Sequence, residues 1–362
     1  MSKKIKVLIA IGGTGGHVFP GCHLAEHLND KGYSVKILTD KRGKKFLKNY
    51  NNFNIKELPS LPINKKNILS IFISSIQIMY SIIRSLIYLI YNRPSIIFGM
   101  GGYASFPICI AATMLKVKFV IYENNLIIGK ANKYLLPFAE KIFVAYKDLE
   151  GIPKKHSHKI FEIGNIIKKE IINFSMIHEV RKKEDKIKVL VLGGSQAAKI
   201  FAEVLPNILH QCSKKGIPLK IYQQCLPDQN EQLNSMYKNF NFDFETFNFS
   251  HNLIKYFSKI NLAITRSGSS ILAELTNTNT PFIAVPLPTS ADNHQLKNAN
   301  YYLKKNFAFL IEEKDLNDKL PSLIQDIYKN SSILEKIISN QKQYSDKNVY
   351  NNINEFLKKN YL

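Results

Sequence analysis

IGGTGGHVFPG, Ile11 to Gly21, follows the apolar run IKVLIA (Ile5–Ala10) and precedes HLAEHL (His23–Leu28). The first flank reads as a strand and the second as a helix. Between them lies GGTGG, a place where the backbone is nearly bare. Glycine lets main-chain N–H groups approach a ligand closely and permits turns with positive φ. A helix N-terminus adds partial positive charge, so a strand–glycine–helix junction suits a phosphate or a developing anion. The stretch is not the dinucleotide fingerprint. From Gly13, G-x-G-x-x-G requires glycine at 18, where Val18 stands. The P-loop pattern GxxxxGK[ST] is absent as well. For one such loop alone, a tight turn that serves packing is the bland alternative.

Four loops of this kind change the weighting: GGTGG (12–16), GMGGY (99–103), GGSQA (193–197) and RSGSS (266–270), each after a strand-like run. IKVLIA, YSVKILT, SIIFGM, KFVIYE and KIFVAY read as strands of one unit, and IKVLVL, LKIYQQ, NLAITR and TPFIAV as strands of another. Strands alternating with helical patterns argue for parallel sheets covered by helices. The chain therefore reads as two similar α/β halves joined near Glu162–Lys168. The glycine loops fall at the carboxyl edges of the sheets, where ligands bind, which suggests a ligand held between the halves. EVRKKEDK (Glu179–Lys186) reads as a surface loop or helix end, and the tail DKNVYNNINEFLKKNYL as a closing helix.

The 362 residues suit two domains of ordinary size. The net charge of +22 is unevenly placed: residues 1–160 hold 24 Lys+Arg against 8 Asp+Glu, and the rest hold 26 against 20. A basic first half points to an anionic partner, phosphates or an acidic membrane face. Nucleic acid is disfavoured, because no basic-aromatic module or zinc-finger spacing is present. Cys22, Cys109, Cys212 and Cys225 lack CxxC spacing and read as reduced cytosolic thiols. The apolar run in MSKKIKVLIAIGG is too short for a signal peptide.

Asn67–Tyr91 reads NILSIFISSIQIMYSIIRSLIYLIY, with the single charge Arg84, preceded by Lys65 and Lys66 and followed by Arg93. Its length permits a membrane span. However, Ser70, Ser74, Gln77, Ser81, Arg84 and Ser85 form one polar stripe at helical spacing. A buried core helix is the first expectation. A helix with one side on the sheet and the rest on lipid is the second, and a true span the third.

GGTGGHVFPG, GMGGY, YENN…GKANK, GGSQ, TRSGSSILAEL and PTSADNHQ–KNA, in this order from Gly12 to Ala299, together resemble the MurG family. The resemblance implies the glycosyltransferase type B fold, two Rossmann-like domains facing across a cleft. The implied division is 1–163 for an acceptor and membrane-facing domain and 164–344 for a UDP-sugar donor domain, with a helix at about 345–362 packing back on the first. It implies inverting transfer of N-acetylglucosamine from UDP-N-acetylglucosamine to the C4 hydroxyl of the N-acetylmuramoyl group of lipid I, giving lipid II for peptidoglycan. It also implies no metal or other cofactor, a peripheral place on the cytoplasmic face of the bacterial membrane, and contact with other cell-wall synthesis proteins. The residue types agree. A glycosyltransferase needs a base, stabilisation of an oxocarbenium-like transition state, and balance for charge on the departing diphosphate. The sequence has no D-x-D, and helix N-termini with basic groups supply that balance instead.

Carried onto this sequence, the resemblance puts Thr14, Gly15 and Gly16 near the diphosphate and makes His17 the candidate base, since imidazole titrates near neutrality. A histidine capping its own helix is the alternative. Tyr103 and Asn125 shape the site, and Glu123 orients neighbours or acts in the chemistry. The family string HEQN is YENN here, so Tyr122 and Asn124 depart; GNPVR has become GNIIK, so Ile166 and Lys168 depart. Lys168 keeps a charge for phosphate but loses the guanidinium fork. Ser195 and Ser250 are further donor contacts. Arg266, Ser267, Gly268, Ser269, Ser270, Ile271, Leu272 and Ala273 form the donor loop and helix start. Glu274 would accept from vicinal ribose hydroxyls, and His294 and Gln295 would meet the transferred sugar. His23 and His27 are four apart but lack a third ligand nearby and read as ordinary helical histidines. Two other classes stay open: a related UDP-sugar transferase making glycosyldiacylglycerol, and a nucleotide-binding or membrane-scaffold protein without catalysis.

Overall fold

The computed structural model describes residues 4–50, 52–60, 67–174, 186–194, 199–250 and 252–361. Lys65, Lys66, most of the charged stretch at 179–186, and Ser195 with the rest of its loop lie outside the described residues. The chain forms two compact units, one of Met1–Lys168 with Asp346–Leu362 and the other of Lys169–Ser345.

The first unit is a parallel sheet of seven strands among the described residues: Lys6–Ala10 (β1), Ser34–Thr39 (β2), Asn54–Glu57 (β3), Ile96–Gly99 (β4), Phe119–Glu123 (β5), Ile142–Val144 (β6) and Ile160–Glu162 (β7), in the order β3-β2-β1-β4-β5-β6-β7. The second has six: Ile187–Leu192 (β8), Leu219–Gln224 (β9), Asp243–Phe247 (β10), Leu262–Thr265 (β11), Phe282–Ala284 (β12) and Phe309–Leu310 (β13), in the order β10-β9-β8-β11-β12-β13. The inner strands are apolar on both faces because helices cover both faces, as parallel sheets require. In each sheet the strand order reverses once, between β1 and β4 and between β8 and β11. Such a switch point opens a crevice at the carboxyl ends. Register aligns these ends, with Ala10 opposite Gly99 and Leu192 opposite Thr265. All four glycine loops therefore begin at the two switch points.

The first unit ends at Lys168, five residues later than the boundary read from sequence, because residues 164–168 are tied to it. The Ile166 N–H donates to the Tyr122 hydroxyl at 3.0 Å, and the Asn165 N–H to Asp346 Oδ1 at 2.8 Å. Tyr350 donates to the Ile167 carbonyl at 2.6 Å. Proline at 166 would have no N–H to offer, so the two departures at 122 and 166 meet in one hydrogen bond. Helix Val349–Tyr361 packs back here, with Phe356 edge-on to Phe143 at 5.0 Å.

Helix Ile68–Asn92 overturns the first expectation, since it is not a buried core helix. Only Ser74, Ser81, Ser85 and Leu89 are buried along its 25 residues. Ser74, Ser81 and Ser85 face inward, whereas Ile68, Phe72, Ile76, Met79, Ile83, Ile87 and Ile90 are all exposed. Each buried serine donates to the carbonyl four residues back, at 2.7, 2.8 and 2.8 Å, so no polar group is left unsatisfied inside. The small side chains let the helix sit against Gly102–Met114. Asn67 and Ser70 form a reciprocal capping box at its start.

Candidate active site

In the first unit three loops, after β1, β4 and β5, hold one another. A Cβ on Gly12 would lie 2.3 Å from Ala104 Cβ, and Gly13 has φ +79°, so neither position accepts a side chain. The turn opens helix Gly15–Asp30, whose N-cap Thr14 makes no side-chain cap. The His17 and Val18 N–H groups both reach the Thr14 carbonyl, which leaves Gly15 and Gly16 with N–H groups that have no intrahelical partner. The imidazole of His17 lies against the second glycine loop. A Cβ on Gly101 would sit 3.0 Å from its Nδ1, and one on Gly102 3.2 Å from its Cδ2. Both glycines have positive φ. Asn124, a departure from the family string, donates to the Gly16 carbonyl at 3.0 Å. Tyr103 stands 39% exposed beside this group, and its carbonyl accepts from Ser60.

Glu123 is 2% exposed. Its Oε1 accepts from the N–H and side-chain amide of Asn125, at 3.1 and 3.0 Å. Its Oε2 accepts from Gly129 N and Asn132 Nδ2, at 2.9 and 3.0 Å. With four donors on it, this carboxylate orders the loop after β5. Of its two expected roles the geometry supports orientation and leaves no lone pair facing a substrate. Lys168 stands near His23, which is buried in the same unit. Burial first, then the Lys168 charge, lowers the His23 pKa to about 3, against a hydrogen bond to the Ile166 backbone that raises it. His23 and His27 brace the crossing segments: His27 Nε2 meets Asn354 Oδ1 at 2.9 Å.

In the second unit the loop after β11 opens helix Ser269–Asn277, with Gly268 as N-cap. The Leu272 N–H already donates to the Gly268 carbonyl, and the Leu272 and Ala273 side chains are fully buried. The side chains of these two face the core. The N–H groups at the helix start, outside its i→i−4 ladder, are those of Gly268, Ser269, Ser270 and Ile271. Arg266 departs from expectation. Its guanidinium is buried, donates to the Val285 and Pro286 carbonyls at 3.4 and 3.3 Å, pairs with Glu313 and lies 4.8 Å over the Phe201 ring. It braces the loop from inside. Gln295 Oε1 accepts from Ser267 N and Leu287 N, at 3.2 and 3.0 Å, which leaves its NH2 as the group it can offer. Asn298 holds the Ser267 carbonyl at 3.1 Å, while Ser267 Oγ is buried without a hydrogen-bond partner. Glu274 lies half-buried on the helix. His294 Nδ1 donates to the Ala291 carbonyl at 2.8 Å, and the Ser250 hydroxyl closes a local turn with Asn252.

Sequence reasoning missed Asp40, Arg42, Asn132, Asn298 and Glu313. Asp40 had a signal, the first polar residue after a strand end, but that position serves many purposes. Among the described residues no three His, Cys, Asp or Glu side chains cluster as metal ligands.

Residues 7–144 match the glycosyltransferase family 28 N-terminal domain and residues 188–353 the family 28 C-terminal domain. A UDP-N-acetylglucosamine–N-acetylmuramyl-(pentapeptide) pyrophosphoryl-undecaprenol N-acetylglucosamine transferase of Pelagibacter ubique is 37% identical over 351 residues, which is 96% of this chain and 96% of that one. The chain belongs to the MurG family. A protein of the same description from Rickettsia felis is 34% identical, over 92% of this chain and 94% of its own. Among solved structures, Acinetobacter baumannii MurG superposes with a TM-score of 0.75 at 22% identity, covering 98% of this chain and 99% of that one. The Staphylococcus aureus MnaA–UDP complex does so with 0.67 at 14%, covering 98% and 96%. These likenesses bear on fold, which is the two-domain glycosyltransferase type B fold of the MurG family.

Proposed function

We propose that this MurG-family chain transfers N-acetylglucosamine from UDP-N-acetylglucosamine to lipid I, with inversion, giving lipid II and UDP. The observation that carries the reading is the placement of bare glycine turns and uncapped helix starts at both topological switch points. In the second unit the N–H groups of Gly268–Ile271 meet the donor diphosphate, Glu274 accepts from ribose hydroxyls, and the Gln295 amide donates to the transferred sugar. In the first unit His17 takes the proton of the C4 hydroxyl as its oxygen bonds to the anomeric carbon. The bond from that carbon to the diphosphate breaks, and UDP leaves with the electron pair. Amide dipoles balance the charge on the leaving group, which a metal would otherwise do.

The outward isoleucines of helix Ile68–Asn92, with exposed Arg84 and Arg93 and the basic first half, support docking on an anionic membrane surface. On this reading the protein acts at the cytoplasmic face of the membrane, beside other proteins of wall synthesis and in cell growth and division. The test is radiolabelled transfer from UDP-N-acetylglucosamine to lipid I and to diacylglycerol offered together, with and without EDTA. Label in lipid II, undiminished by chelation, is expected. Label in glycosyldiacylglycerol, UDP release indifferent to lipid I, or loss with EDTA contradicts the respective part.

A further inference from the structure

Asp40 ends the loop side of β2, and its carboxylate is 1% exposed. Oδ1 accepts from Gly13 N at 3.0 Å and Gly43 N at 2.7 Å. Oδ2 accepts from Arg42 Nε and Nη2, at 3.1 and 3.0 Å. A Cβ on Gly13 would lie 3.7 Å from Arg42 Nη2. The guanidinium is therefore laid on the turn that opens helix Gly15–Asp30, held by its Nε–Nη2 edge. Its Nη1 edge faces away from the aspartate, and the side chain is 42% exposed. A lone surface arginine needs no buried partner, because exposed pairs contribute little. Here a buried carboxylate fixes both a glycine turn and a cation beside it, and the fork of that cation is matched to phosphate oxygens.

We infer that Arg42 binds the diphosphate of the polyprenyl-linked acceptor, with Asp40 as its positioning residue. The inference rests on the proposed transfer reaction and assigns one of its substrate contacts. The acceptor is favoured over the donor because Arg42 belongs to the first unit, along with His17, whereas the ribose- and sugar-facing groups lie in the second. Exposed Lys41 and Lys45 flank it with further positive charge, while Lys44 pairs with Glu57 at 3.0 Å.

The test is steady-state transfer to a soluble lipid I analogue with a diphosphate and to its monophosphate counterpart, by wild type, Arg42→Gln, Arg42→Lys and Asp40→Asn. Equilibrium binding of both analogues to the same proteins needs no turnover. Arg42→Gln is expected to raise the acceptor KM and Kd about tenfold or more for the diphosphate. For the monophosphate the rise is about threefold at most, and the KM for UDP-N-acetylglucosamine changes less than that. Arg42→Lys falls between wild type and Arg42→Gln. Asp40→Asn keeps an oxygen for the two glycine N–H groups but releases the arginine, and shifts the diphosphate KM the same way. Unchanged acceptor constants, equal losses on both analogues, or a rise in the donor KM alone would overturn the assignment. Wild type that binds the analogues but transfers to neither would instead overturn the proposed function.

Discussion

Each unit sets an arginine–carboxylate pair beside a glycine turn, and the two pairs are built in opposite senses. In the first the carboxylate is buried and the arginine exposed, at 1% for Asp40 and 42% for Arg42. In the second the arginine is buried and the carboxylate more exposed, at 9% for Arg266 and 25% for Glu313. The first arrangement turns a cation outward over a helix start. The second uses its cation to tie the loop after β11 to the chain after β12, leaving main-chain N–H groups, Glu274 and Gln295 to meet a ligand. The same ion pair thus supplies a contact in one unit and a brace in the other, and burial decides which.

The units should respond differently to loss of these groups. The largest effect is expected at His17, which stands against the second glycine loop in the first unit alone. His17→Ala should lower turnover by 10²–10⁴-fold, the usual contribution of general acid–base catalysis, with donor affinity nearly kept. A variant that loses thermal stability instead, with turnover per folded molecule intact, would make His17 a packing residue. Next comes the braced arginine. Arg266→Ala should destabilise the second unit by about 3 kcal/mol, because it strands a partly buried carboxylate and two carbonyls. Arg42→Ala should cost less, about 1–2 kcal/mol, because Asp40 stays buried but keeps the Gly13 and Gly43 N–H donors, and chemical denaturation compares the two directly. Equal losses would erase the contrast between contact and brace.

The most gradual effect concerns acid. Buried His23 titrates at about 3 in the folded chain against 6.5 when free. Between these values the unfolded chain binds the extra proton. Stability is therefore complete above 6.5 and falls with pH below it, by roughly 1 kcal/mol per unit. His23→Gln should flatten this slope, and an unaltered slope would show that His23 is not its source.

The inner strands were legible because both of their faces are buried, so they read as unbroken apolar runs. β3, β7, β10 and β13 were not, and these are the four sheet edges. Half-exposed and short, as in NIKE or DFETF, they carry no such run. In helix Ile68–Asn92 the polar stripe was visible, but not that Ser74, Ser81 and Ser85 face inward while Gln77 and Arg84 stay exposed. Periodicity fixes the phase of a pattern, and serines that bond their own backbone can face inward as well as apolar groups can. The glycine turns were legible as parts of strand–turn–helix junctions, whereas Gln295 was singled out by the family resemblance alone. Arg266 read as part of the donor-binding loop because nothing in TRSGSS reveals Glu313, forty-seven residues on. Asn124 was missed as a brace for the same reason, since Gly16 follows another strand, and Asp40 because one of its three partners, Gly13, does too.

The division of labour between the two loops is tested most directly by equilibrium binding of UDP-N-acetylglucosamine to wild type, Glu274→Ala and Arg42→Gln. Glu274→Ala should weaken binding about tenfold or more, with an unchanged melting temperature, because two hydrogen bonds to a charged acceptor are lost. Arg42→Gln should stay within about threefold of wild type. Donor affinity that survives Glu274→Ala but collapses in Arg42→Gln would contradict the account.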